Sequence, residues 1–127
     1  MAHAATRHQQ AVAALAALAH EHRLAAFRLL VEAGEPGLAA GVLADSLGLT
    51  APTLSFHIKE LAHAGLVQSR HEGRYVIYTA RFDAMEGLIG YLTDNCCNGA
   101  ACAAVPDRRR VASRRPRGAT ASHRAVR

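Results

Sequence analysis

The stretch Gly48-Leu49-Thr50-Ala51-Pro52-Thr53-Leu54-Ser55-Phe56-His57-Ile58-Lys59-Glu60-Leu61-Ala62-His63-Ala64-Gly65-Leu66-Val67 decides the fold. Gly48 suits a left-handed helix C-terminus, and only Leu49 separates it from Thr50, a good N-cap. Pro52 fits the first turn of the helix that Thr50 opens, where its missing N–H is not needed. Leu54, Ile58, Leu61 and Gly65 recur at helical spacing and predict one buried stripe. Thr53, Ser55, Phe56, Lys59 and His63 fall largely on other faces. One helix therefore stops at Gly48 and another starts almost at once, with polar side chains in its first turns.

Upstream, Val12, Leu15, Ala16 and Ala19 and then Leu24, Phe27, Leu30 and Val31 predict two helices within residues 9–33, separated around His20-Glu21-His22. Gly34-Glu35-Pro36-Gly37 ends the second, and Leu38, Val42, Leu43 and Leu47 give a short third helix that runs into Gly48. Downstream, Leu66 to His71 and Arg74 to Ala80 alternate in strand fashion around Glu72-Gly73, which predicts a β-hairpin. Phe82, Met85, Leu88, Ile89 and Leu92 then form an amphipathic helix. The order α-α-α-α-β-β-α, mainly α with a β-hairpin, is that of a winged helix-turn-helix.

Such an arrangement suits a DNA major groove. The second helix of the turn presents Pro52, Thr53, Ser55 and Phe56 to base edges, while its N-terminal dipole and Lys59 favour phosphates. The hairpin tip, flanked by Arg70, His71 and Arg74, reaches backbone or minor groove, with Arg70 and Arg74 as the expected contacts. His57 lies at the edge of the apolar stripe and is read either as packing or as a phosphate contact. His20, His22, His63 and His71 share no metal-ligand spacing and are expected to be solvated or locally bonded.

Composition narrows the class. The 127 residues make about one domain, half of them apolar but only 5% aromatic and none Trp, so the core must be Ala, Leu and Val. No run of about 18 apolar residues occurs, and no charged flank precedes an apolar block at the N-terminus; a soluble, cytoplasmic protein without a membrane partner is expected. Residues 106–127 carry eight Arg against the single acid Asp107, together with Pro106, Pro116 and Gly118. They are expected to form a disordered basic tail that adds nonspecific phosphate attraction. Residues 1–8 are expected to be a flexible N-terminus and residues 9–105 the domain. No nucleophile with a matched base, phosphate loop or paired-carboxylate cleft is present, so an enzyme is not expected.

The three cysteines fall within seven residues, Cys96-Cys97-Asn98-Gly99-Ala100-Ala101-Cys102. Three thiols are an odd number for disulfides, and thiolates are preferred ligands of soft ions. A closed zinc site usually wants four protein ligands, and only Asp94 is near. Three sulfurs fit a three-coordinate soft ion such as trivalent arsenic or antimony. One regular helix, at about 100° per residue, cannot converge them. Asn98-Gly99 is a helix-stop signal that lets the chain fold Cys102 back onto the pair.

Pro52 to Val67 followed by Arg70-His71-Glu72-Gly73-Arg74-Tyr75-Val76-Ile77-Tyr78 resembles the recognition helix and wing of the ArsR/SmtB family of metal-responsive repressors. Glu21 to Leu30 resembles the family's second helix, so the resemblance covers about residues 9–102. It implies a homodimer on a two-fold DNA operator; the wide apolar stripes of the first and last helices predict that these helices join the two copies. Family members with an arsenic inducer often carry a cysteine pair in the third helix, but Leu38 to Ala44 has none. The sequence instead resembles the subgroup with a C-terminal N-C-C…C arrangement. That implies an arsenite-responsive repressor, antimonite being an alternative inducer, with Cys96, Cys97 and Cys102 as ligands. The family's zinc pattern of Asp and His pairs on the last helix is missing, since that helix holds Asp83 and Glu86 but no His. Methylated trivalent arsenicals, cadmium or zinc as inducer, and a thiol-based metalloid buffer, stay open as alternatives.

Overall fold

A computed structural model describes residues 5–99. Cys102, residues 1–4 and the basic stretch 106–127 lie outside the described residues. The chain divides after Leu92 into two units, and the segment holding Cys96 and Cys97 belongs to the second.

The first unit opens with α1 (Arg7–Leu18), which starts inside the stretch expected to be a flexible terminus. The reason is a capping box: the Thr6 hydroxyl accepts from the Gln9 amide at 3.0 Å, and the Gln9 side chain accepts from the Thr6 amide at 2.9 Å. Helix α1 buries Ala11, Ala14 and Ala17, while Val12 and Leu15 stand 53% and 45% exposed. Its small face lets it approach α2 (Glu21–Ala33) and α4 (Ala51–His63) closely. Leu30, Leu43, Leu54, Leu61 and Leu66, from α2, α3 (Ala40–Leu47), α4 and the turn that follows it, form the fully buried centre.

Leu38 was expected in the third helix; instead Leu38–Ala39 is a two-residue strand, β1. It pairs antiparallel with β3 (Tyr75–Ala80), Leu38 opposite Tyr78, and β3 pairs on its other edge with β2 (Val67–Glu72) to give the order β1-β3-β2. So short a strand has no periodicity of its own. Gly37 seats it, at φ +72 and so near β3 that a Cβ there would lie 2.4 Å from the Tyr78 carbonyl oxygen. The hairpin turn is Gly73-Arg74, one residue later than expected, with Glu72 opposite Tyr75. Only Gly73 of the two has positive φ, +64, as a type II′ turn requires.

Val42, on the third helix as expected, stands 53% exposed. One further expectation is corrected. Gly65 lies past the end of α4 instead of within its stripe, in a left-handed conformation at φ +80. Helix α5 (Phe82–Thr93) rests Phe82, Met85 and Leu88 against the core but leaves Ile89 and Leu92 48% and 59% exposed. Arg7 and His8 of α1 reach α5 at Tyr91, where His8 Nδ1 lies 2.8 Å from the phenol oxygen and the Arg7 guanidinium sits 5.2 Å from the ring centre. No described helix is long and apolar enough to cross a membrane.

Candidate functional site

The helix-turn-helix is closed by one device used twice. At the end of α3, Gly48 donates to Asp45 at 3.2 Å and Leu49 to Ala44 at 2.9 Å; at the end of α4, Gly65 donates to Ala62 at 2.9 Å and Leu66 to Leu61 at 3.0 Å. Both pairs of bonds form Schellman caps around a left-handed glycine. The first turns the chain directly into Thr50, whose hydroxyl caps α4 by accepting from the Thr53 amide. Helix α4 is thereby fixed by its buried Leu54, Ile58 and Leu61, while Pro52, Thr53, Ser55, Phe56 and Lys59 are exposed together. Phe56, at 57% exposure, offers an apolar surface of the kind that meets a thymine methyl.

The remaining three expected DNA contacts differ in position. Arg74 stands exposed at the hairpin tip. Arg70 is engaged internally: its Nε donates to Glu72 Oε2 at 2.8 Å, and its terminal nitrogens donate to the carbonyls of Pro36 at 2.8 Å and Glu35 at 3.4 Å. It thus ties β2 to the loop before β1. His57 is 6% exposed and faces inward, the position that its packing reading describes.

His57 also joins two of the histidines expected to be solvated or locally bonded, His20 and His22, in one cluster. Its ring centre lies 4.6 Å from that of His20 and 5.7 Å from that of His22, and one ring nitrogen from each of the three lies within 4.8 Å of the others. His20 is the N-cap of α2, its Nδ1 accepting from the His22 amide at 3.2 Å. Burial, reinforced by His20, Arg23 and His22, holds the His57 imidazole below its usual pKa and hence neutral at pH 7. The His-x-His spacing at the start of α2 was visible in the sequence. The third member, on another helix, was not.

In the second unit the thiols follow α5 in a single turn, Cys96–Gly99. The helix stops at Thr93, before the expected Asn98-Gly99 signal, because Asn95, Cys97 and Asn98 all adopt left-handed φ near +56. Asn tolerates this conformation well and Cys does not, so Cys97 is held against its preference. Cys96 Sγ and Cys97 Sγ lie 3.6 Å apart, and Cys97 is exposed. Two sulfurs bonded to one ion at about 2.3 Å sit roughly 3.5–3.8 Å apart, so the pair already has the spacing of a shared ligand.

A helix-turn-helix domain family matches residues 18–70. The HTH-type transcriptional regulator YgaV of Escherichia coli (strain K12) is 32% identical over 89 residues, covering 70% of this chain and 88% of YgaV. Among solved structures, HlyU from Vibrio cholerae N16961 superposes with a TM-score of 0.59 at 31% identity, covering 74% of this chain and 99% of HlyU. The homodimeric winged helix-turn-helix DNA-binding domain of Mb0332 from Mycobacterium bovis, a possible ArsR-family transcriptional regulator, superposes with a TM-score of 0.57 at 27% identity, covering 80% and 98%. Fold, exposed helix face and these likenesses define a helix-turn-helix transcriptional regulator rather than an enzyme. The chain belongs to the ArsR family of such regulators.

Proposed function

We propose that the chain is an arsenite-responsive repressor, which binds operator DNA as a homodimer and leaves it when Cys96, Cys97 and Cys102 take up trivalent arsenic or antimony. The observation that carries this reading is the Cys96–Cys97 sulfur pair, 3.6 Å apart on a turn in left-handed conformation. Cys102 supplies the third sulfur. Thr53, Ser55 and Phe56 read base edges, Lys59 and Arg74 hold phosphates, and Arg70 positions the wing. The exposed apolar side chains Val12 and Leu15 on α1 and Ile89 and Leu92 on α5 form the dimer surface, in line with the homodimeric domain of Mb0332.

Release requires the ion to bind the DNA-free state more tightly, since equal affinity for both states shifts nothing. Gathering three thiolates around a pyramidal ion remakes the turn that follows α5, and α5 carries half the dimer surface that sets the spacing of the two α4 helices. A coupling of about 1–3 kcal/mol changes operator affinity about 5- to 150-fold.

The test is a release titration on an operator duplex selected from random sequence by the full chain, comparing arsenite, antimonite, methylarsenite, zinc and cadmium. Release by arsenite and antimonite at the lowest concentrations is expected. A second reading, a sensor of methylated trivalent arsenicals, is favoured by the same sulfur pair, because such a ligand needs only two thiols; release by methylarsenite far below arsenite would select it. Release by zinc or cadmium alone would overturn both. Failure to retain any duplex sequence would point to a thiol-based metalloid buffer.

A further inference from the structure

We propose that His20, His22 and His57 form a binding site for a borderline divalent transition-metal ion of the Zn2+ class, separate from the cysteines, that joins the α1–α2 junction to the buried face of α4. The three donor nitrogens already lie within 4.8 Å of one another. Around a tetrahedral ion with metal–nitrogen bonds of about 2.0–2.1 Å they would be roughly 3.3–3.4 Å apart, a closure within reach of side-chain rotation. Three imidazoles without a thiolate or carboxylate suit Zn2+, Co2+, Ni2+ or Cu2+ and not Ca2+ or Mg2+. The ligands also divide the work. His57 is fixed by burial, whereas His20, exposed at the helix start, can adjust.

A second observation points the same way. His57 Nδ1 is buried and has no hydrogen-bond partner among the protein atoms. A buried polar atom left in that state costs about 1–3 kcal/mol, which coordination would recover. His20 Nδ1 meanwhile accepts from the His22 amide, so in the neutral ring the proton is on Nε2. An ion bound at Nδ1 displaces that amide directly, and one bound at Nε2 moves the proton to Nδ1; either way the cap bond of α2 is exchanged for the metal bond. Occupancy would then lock the recognition helix to the start of α2 through coordination bonds instead of ring packing alone.

The site uses no cysteine, so it stands or falls apart from the arsenite reading. The test uses the full chain with Cys96, Cys97 and Cys102 all replaced by Ser, and Zn2+ or Co2+ as the probe. Equilibrium dialysis should find one Zn2+ per chain, Co2+ should give the visible absorption of a tetrahedral nitrogen-rich site, and Zn2+ should raise the melting temperature. His20→Asn, which keeps a capping oxygen, and His22→Gln should each weaken Zn2+ binding by at least about tenfold, as loss of even an outer-shell partner can. His57→Gln should do the same, with circular dichroism checking that it folds. His63→Gln should change nothing. Absence of Zn2+ binding at micromolar concentration in the Cys-free chain, or equal binding by the His20→Asn and His22→Gln variants, would overturn the site.

Discussion

Gly37 is the residue on which the sheet depends most narrowly. A methyl group there meets the Tyr78 carbonyl oxygen at 2.4 Å and side-chain carbons of Thr79 and Ile77 within 3 Å, and the backbone is at φ +72. Gly37→Ala should therefore destabilise the fold by at least about 1–3 kcal/mol, read as a shift of the urea midpoint at unchanged slope. Glycine at 41, with nothing near its Cβ position and ordinary φ, provides the contrast, since Gly41→Ala should be neutral or slightly stabilising. At the DNA surface the two wing arginines part company. Arg74→Ala should weaken binding to every duplex and reduce the slope of affinity against salt by about one counterion, whereas Ser55→Ala or Thr53→Ala should alter sequence preference. Arg70→Ala should leave the salt slope nearly unchanged, because its guanidinium is engaged with Glu72 and the Glu35 and Pro36 carbonyls. Binding isotherms at several salt concentrations separate these outcomes.

Among the elements, the short turn Cys96–Gly99 carries the largest departure from regular structure. A non-glycine residue in left-handed conformation costs of the order of 1–3 kcal/mol, and Cys97 sits there beside two asparagines that bear it more easily. A ligand bond at Cys97 is one force able to hold such a geometry. Replacing Cys96, Cys97 or Cys102 singly with Ser should leave operator affinity without inducer within about twofold and reduce arsenite-driven release by at least about tenfold, the loss of one thiolate from three. Full release by all three variants would refute the three-sulfur site, and full release by Cys102→Ser alone would favour the two-thiol ligand. Helix α4 tells a complementary story: its position is set by the Schellman caps that end α3 and α4, so its exposed face can vary without moving its axis.

For the whole molecule, the decisive surface is the one formed by the apolar side chains that the core does not use. Val12, Leu15, Ile89 and Leu92 are each about half exposed on α1 and α5, an arrangement that costs solubility unless a second copy covers it. Leu15→Glu together with Ile89→Glu should convert the chain to a monomer in sedimentation velocity at micromolar concentration. Operator affinity should fall far more than half-site affinity, because the two recognition helices must stand about one DNA turn apart, roughly 34 Å. A dimer that survives both substitutions would place the interface elsewhere.

The fold was legible because its signals are local. Periodicity marked α2, α4 and α5, Gly48 marked the cap, Thr50 and Pro52 the helix start, and Glu72-Gly73 the hairpin to within one residue. The same reading misplaced what depends on distant partners. Leu38–Ala39 became a strand only because β3 lies beside it and Gly37 allows the approach. Ala11, Ala14 and Ala17 were chosen over Val12 and Leu15 as the buried face of α1 because a helix packed closely on two others favours small side chains. The cysteine cluster was plain in the chain order, since its members are neighbours, and so was the polar face of α4. The histidine cluster was not, because His57 stands 35 residues after His22 and no spacing rule connects them. Sequence alone determined the helix-turn-helix and the wing, both of which follow from short-range backbone preferences. Only the tertiary structure decided that Arg70 braces the wing and that His57 turns inward toward His20 and His22, because both depend on packing between segments far apart in the chain.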